Sequence, residues 1–282
     1  MLFQSNAKIN LTLNVLDKDE RGYHHLESVM MPVSLADDIE VNIIPGNDIV
    51  LSCNIEDIPL DEHNIIYKCI VALKKYCNID FGVEINLFKR IPIEAGLGGG
   101  SSNGATVLKA LNNMLDLKLS NQQLIDIASP VGSDIPFFIL NQTAVISGFG
   151  EKVTPIENNY DGYIFLVKPI LGVSTKKAYE LYDDLKPQKN IHESIFDALS
   201  QNLLKKIDCL VYNDLLLPAL SINPSIGEVI KYLTNKGFKA VMMSGSGSCV
   251  YGLTDSFSLC LDASGHFDEL GYFNWISTKY DE

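Results

Sequence analysis

Positive charge is what this chain has least of. Its 282 residues carry 22 lysines and arginines against 35 aspartates and glutamates, a formal net charge of −13. A surface of that sign repels phosphate backbones and anionic lipid, so nucleic acid and membrane are not expected as partners. Paired cysteine motifs are missing as well. The six cysteines, at 53, 69, 77, 209, 249 and 260, form no C-x-x-C pair and no His/Cys ligand spacing. That excludes a thiolate metal site and fits reduced thiols in a cytoplasmic protein. No apolar run approaches the ~20 residues of a membrane span. The first eight residues lead into a strand pattern, so no signal peptide is expected. What is left is 46% hydrophobic and 20% charged, the composition of a globular protein with a full core.

Glycine, by contrast, is concentrated. Between Pro92 and Gly104 the chain reads P-I-E-A-G-L-G-G-G-S-S-N-G, followed by Ala105, Leu108, Leu111 and Leu115 at helical spacing. Serine ahead of such a run is an N-cap signal, so the glycines form a loop that opens onto a helix N-terminus. Backbone without side chains can approach a ligand closely, and the unpaired amides and helix dipole favour phosphate. A Walker A loop is excluded, since no lysine precedes Ser101. A dinucleotide fingerprint counted from Gly96 would need glycine where Ser101 stands. A flexible surface turn would not run so tightly into a capped helix. In so acidic a chain a nucleotide also needs local positive sources: the helix N-terminus, a placed lysine and Mg²⁺.

Other segments offer candidate partners for that cradle. Ala7, Ile9, Leu11, Leu13 and Val15 alternate with Lys8, Asn10, Thr12 and Asn14, which predicts a half-buried strand over 7–15. Lys8 and Asn10 on its polar face are either solvated or functional. Strands are expected near 26–33, 39–44, 48–53, 83–88, 143–148 and 163–168. A helix is expected from Asn64 to Cys77, with Asn64 as N-cap or ligand contact. Another starts with the capping box Ser120–Gln123 and stops at Pro130. Asp134, just before Ile135-Pro136, is a helix-start carboxylate or a catalytic one. Tyr23 and His24, in G-Y-H-H-L, form a packed turn or a base platform. Gly172-Val173-Ser174-Thr175 caps a helix carrying Tyr179, and Gly245-Ser246-Gly247 makes a tight turn between the apolar runs 239–243 and 249–253.

Taken together, these segments resemble the GHMP kinase superfamily, which phosphorylates small-molecule hydroxyls. A-K-I-N-L at 7–11, the glycine loop, and S-G-S-G at 244–247 are similar to its three signatures in order, and G-S-D-I-P-F at 132–137 resembles the segment bearing its catalytic base. The resemblance implies an α+β, two-domain GHMP kinase fold. Its parts would be a ribosomal protein S5-like N-terminal domain, 1–156, and a ferredoxin-like C-terminal domain, 157–282, with the active site in the cleft between them. It implies Lys8 and Asp134 as catalytic residues, with ATP and Mg²⁺ as cofactors and metal ligands unassigned. ATP would lie on Pro92, Ile93, Glu94, Ala95, Gly96, Leu97, Gly98, Gly99, Gly100, Ser101, Ser102 and, near adenine, Asn64. The third turn, Gly245, Ser246 and Gly247, would close on the phosphates.

The G-Y-H segment is similar to one branch, whose substrate is a cytidine diphosphate-linked methylerythritol of isoprenoid precursor synthesis. There the resemblance implies substrate contacts from Asn10, Tyr23, His24, Thr175 and Tyr179, with the two tyrosines sandwiching cytosine. Homoserine- or mevalonate-type kinases, and a non-catalytic nucleotide sensor on this fold, are the alternatives. A monomer or homodimer is expected. The chain departs from the family at Arg21 (usually aspartate), Gly104 (usually alanine) and Leu216 (usually glutamate in N-D-L-E).

Overall fold

The structure is a computed structural model, and it describes residues 1–20, 22–185 and 195–280. Arg21 therefore lies outside the described residues. In chain order, the first half comprises β1 (Leu2–Lys18), β2 (His24–Ile44), β3 (Ile49–Cys53), α1 (Ile65–Cys77), β4 (Gly82–Phe88), α2 (Gly99–Met114), α3 (Asn121–Ala128), α4 (Ile135–Leu140), β5 (Ala144–Gly148) and β6 (Lys152–Pro155). The second comprises β7 (Tyr163–Lys168), α5 (Thr175–Leu185), α6 (Phe196–Ser200), α7 (Leu204–Leu210), β8 (Tyr212–Asn213), α8 (Leu216–Ile222), α9 (Ser225–Lys236), β9 (Lys239–Met243), β10 (Val250–Thr254), α10 (Phe257–Glu269) and β11 (Phe273–Thr278).

Two sheets result. The first runs β3-β4-β2-β1-β8, with β5 and β6 branching from β2; the second is antiparallel, in the order β11-β7-β10-β9. Helices α1 to α4 cover one face of the first sheet, burying Ile66, Ile70, Leu108, Leu111 and Phe137 against Ile39, Val41, Val83 and Ile85. Helices α9 and α10 cover the second sheet in the same way, with α5 and α8 packed together in the same apolar cluster.

A third apolar cluster joins the two sheets, and it explains a correction. Ala7, Ile9 and Leu11 of β1 pack on Ile164 and Leu166 of β7 and on Tyr251 and Leu253 of β10. The opposite face of β1 lies under the glycine loop and α2, and the Lys8 amide donates to the Leu97 carbonyl at 3.0 Å. The strand is thus buried on both faces from Ser5 to Leu13, not half-buried, and Lys8 is only 3% exposed. Its pairing with β2 shifts register at Asn6/Ala7 and again at Asn10/Thr12, flanking Lys8 with irregularities of the kind that re-aim side chains at functional sites.

A second correction concerns β2. The two strands expected over 26–33 and 39–44 are one strand of 21 residues. Ser34 to Asp38 break the apolar alternation without breaking the strand, because buried Asp37 finds partners across the sheet: Lys89 Nζ, and the amides of Arg90 and Ile91, each at 2.8 Å. The Asn64 and Ser120 caps form as expected, the latter as a full capping box. Ser174 Oγ accepts from the Lys177 amide at the start of α5.

Candidate functional site

A single cavity of about 860 Å³ gathers most of the residues singled out above. Its walls include Lys8, Asn10, Asn64, every residue from Pro92 to Ser101, Asp134, Thr175, Tyr179, Gly245, Ser246 and Gly247. Segments more than 230 residues apart in sequence thus meet around one space.

The loop is built for close approach. Gly96 and Gly98 both adopt φ of +71°. A Cβ on Gly96 would fall 2.0 Å from the Ser244 carbonyl oxygen, and one on Gly98 would fall 2.7 Å from the Phe138 ring, so neither position admits a side chain. The cap of α2 is Gly98, not a serine; Ser101 and Ser102 lie inside the first turn. With no side-chain oxygen capping the helix, its first amides keep their capacity to bind an anion. Ser102 departs from its expected place: its side chain turns away from the cavity and its hydroxyl accepts from Ser5 Oγ at 2.8 Å.

The third glycine turn is tied directly to that loop. The Ser248 and Cys249 amides donate to the Glu94 and Ala95 carbonyls, both at 3.2 Å, and Ser244 Oγ donates to the Gly96 carbonyl at 2.9 Å. The same hydroxyl accepts from the Asn10 amide at 3.2 Å, drawing β1 into the contact.

Lys8 lies between them. Its ammonium donates to Asn10 Oδ1, and it faces the Gly245 backbone, where an added Cβ would come within 3.3 Å of Nζ. Burial lowers the pKa of Lys8 below its ordinary value, and the charge of Asp134 partly offsets this. Asp134 stands at the start of α4 without making a side-chain cap bond, so a plain capping role does not account for it. Burial also raises the Tyr179 phenol, with Asp134 a second cause. One carboxylate therefore acts electrostatically on both Lys8 and Tyr179.

The remaining candidates divide. Thr175 Oγ1 pairs with Ser246 Oγ at 2.8 Å, joining α5 to the third turn. Asn64 caps α1 by accepting from the Ile66 amide at 2.8 Å, and its Nδ2 donates to the Pro59 carbonyl at 2.7 Å. His24 and Tyr23 do not line the cavity. Both His24 ring nitrogens are engaged, Nδ1 with the Leu16 carbonyl at 2.7 Å and Nε2 with Asp183 at 2.9 Å. The imidazole stacks on Tyr179 with centroids 5.8 Å apart, while Tyr23 is 67% exposed, so His24 rather than Tyr23 faces Tyr179 here.

Sequence reasoning missed three further groups. Lys89 lines the cavity, and its ammonium, paired with Asp37, would lie 2.8 Å from a Cβ on Gly99. Asn103 bridges Asp37 and Ser5 through its Nδ2 at 2.8 and 2.9 Å. Asn213 donates to the backbone of the third turn. Asn103 and Asn213 sit inside recognisable motifs, but the 52-residue separation of Lys89 from Asp37 leaves no local signal.

Two family models match, the GHMP kinases N terminal domain over residues 64–142 and the GHMP kinases C terminal domain over 195–259. The chain belongs to the GHMP kinase family and has its two-domain fold. Within the family, it is 40% identical over 258 residues to the 4-diphosphocytidyl-2-C-methyl-D-erythritol kinase of Carboxydothermus hydrogenoformans, covering 91% of this chain and 89% of that one. A crystal structure of 4-(cytidine 5'-diphospho)-2C-methyl-D-erythritol kinase matches the whole of both chains, with a TM-score of 0.84 at 30% identity. A homoserine kinase from Cytophaga hutchinsonii has a TM-score of 0.69 at 17% identity over 98% of this chain and 95% of its own, a likeness of fold alone.

Proposed function

We propose that the protein transfers the γ-phosphoryl group of ATP to the 2-hydroxyl of 4-diphosphocytidyl-2-C-methyl-D-erythritol, a step in non-mevalonate isoprenoid precursor synthesis. The observation that carries the chemistry is a buried lysine and a carboxylate facing one cavity beside an uncapped helix N-terminus. The particular substrate rests on the relatives at 40% and 30% identity.

ATP would lay its phosphates on the Gly96–Ser101 backbone, where the left-handed glycines leave room for them. The acceptor hydroxyl attacks the γ-phosphorus, the bond to the β–γ bridging oxygen breaks, and ADP leaves. Asp134 orients the hydroxyl and takes its proton. Lys8, held by Asn10, stabilises negative charge on the phosphoryl group in transit. Most of the rate enhancement comes from holding these groups in place. The hydroxyls of Ser101 and Ser133 and the Asp134 carboxylate are hard oxygen donors that suit Mg²⁺, which neutralises phosphate charge when bound. Tyr179, backed by His24, offers cytosine a stacking face. The chain's negative charge fits a small-molecule substrate in the cytoplasm rather than a polyanion. Among the described residues, no helix is long and apolar enough to cross a membrane.

The test is ATP consumption by purified protein with the cytidine compound, homoserine or mevalonate. Turnover with the cytidine compound alone is expected. Turnover with another alcohol alone would overturn the substrate assignment. A folded, ATP-binding protein silent with all three would favour a sensor.

A further inference from the structure

Asn213 lies in the N-D-L segment, to which the reaction just described gives no role. It belongs to β8, a two-residue strand from the second half of the chain that pairs parallel with Thr12 and Leu13 of β1, next to Asn10. The side chain is buried, and all of its hydrogen bonds run to backbone. Nδ2 donates to the carbonyls of Met243 and Gly245, both at 2.8 Å, while Oδ1 accepts from the Leu215 amide at 2.9 Å. Gly245 in turn packs against both Gly96 and the Lys8 ammonium; a Cβ there would come within 3.0 Å of the Gly96 carbonyl oxygen and 3.3 Å of Nζ. A short chain of contacts thus runs from the β1 backbone through Asn213 to the turn and back to the lysine on β1.

From this geometry we infer that Asn213 is a positioning residue for the phosphoryl-transfer step, holding the Ser244–Ser248 turn against Lys8. The inference rests on the kinase reading. Its physical basis is the need to fix a buried ammonium and a glycine backbone relative to each other before charge develops, because small misplacements in such sites cost far more rate than ground-state affinity. A side chain that served folding alone would leave the chemistry of the folded fraction untouched.

The experiment compares wild type with Asn213→Ala, and with Asn213→Asp, which keeps the volume and the acceptor for Leu215 if the alanine variant does not fold. Turnover is measured well below each melting temperature. We expect kcat to fall about tenfold or more while KM for ATP and for the alcohol stays within about twofold. Amide hydrogen exchange at Gly247, Ser248 and Cys249 should quicken. A variant that melts earlier but keeps kcat and the exchange rates would overturn the inference. A rise in KM with kcat unchanged would overturn it as well. Silence of the wild type with the cytidine compound would sink the kinase reading, whereas the exchange comparison tests the Asn213–turn contact without turnover.

Discussion

The Lys89 ammonium and the Asp37 carboxylate form an ion pair with side-chain exposures of only 4% and 0%, directly beneath the first residue of the phosphate-loop helix. Asp37 also accepts from Arg90, Ile91 and Asn103, so it pins the entry and exit of the loop to β2. Removing one partner strands a buried charge. Lys89→Ala should cost about 3–5 kcal/mol of stability, whereas Lys89→Met with Asp37→Asn should recover much of it. Denaturant titration of the three proteins checks this.

Asp134→Asn should lower turnover by roughly 10²-fold or more while nucleotide binding persists. Calorimetric titration with a non-hydrolysable ATP analogue, beside steady-state rates, separates the two effects. Near-normal turnover would remove Asp134 from the role of base.

Lys8 gives a pH dependence whose sign follows from burial. Its folded pKa is below the ordinary 10.5, so activity that needs the ammonium should fall on the alkaline side before pH 10.5 is reached. Between the folded and unfolded values, unfolding takes up a proton, so this group makes stability rise with pH across that window. Lys8→Met should abolish that contribution. Denaturation midpoints of wild type and variant across the alkaline range provide the comparison.

Gly96→Ala would put a methyl 2.0 Å from the Ser244 carbonyl oxygen on a residue with φ of +71°. Backbone rather than a flexible side chain stands in the way, so the loop and the third turn must part. We expect ATP affinity to drop at least about tenfold in a protein that still folds. Unchanged affinity would mean that the loop-to-turn contact does not shape the nucleotide site.

Gly104, inside α2, sits hard against α1. A Cβ there would lie 2.9 Å from both Cys69 Sγ and Ile65 Cγ2 on α1. Gly104→Ala should therefore destabilise by about 1–3 kcal/mol through overpacking. Adding Cys69→Ala should return much of that loss. Thermal melts of the single and double variants decide it.

What could be read in advance was local. The Asn64 and Ser120 caps, the glycine loop, the turn at 244–248 and the helix spacing all lie within a few residues of their cause. Lys8 could be picked out as an odd polar residue on a strand, but not as a buried one, because that depends on the glycine loop and the third turn closing over its face of β1. The gap between the strands expected over 26–33 and 39–44 contains Asp37, whose partners lie 52 and 66 residues away and leave no local signal that the strand continues. Gly98 carries no cap signal in sequence, where serine is the commoner one, although a cap without a side chain is what leaves the helix start open to an anion. The tyrosine at position 23 is conspicuous in sequence, while the contact made to Tyr179 comes from its neighbour His24.

The two-residue strand β8 has a consequence for how the protein comes together. A ribosome releases β1 about 200 residues before the segment that pairs with its edge at Thr12 and Leu13. Until then β1 lacks its strand partner at Thr12 and Leu13, and the turn that abuts Lys8 has not been synthesised. The two halves are interlaced rather than strung together, so a fragment ending before Tyr212 would keep the glycine loop yet lack the wall that confines its lysine. Such a fragment could not be restored simply by adding the second sheet as a separate module, because part of what completes the first sheet would travel with it.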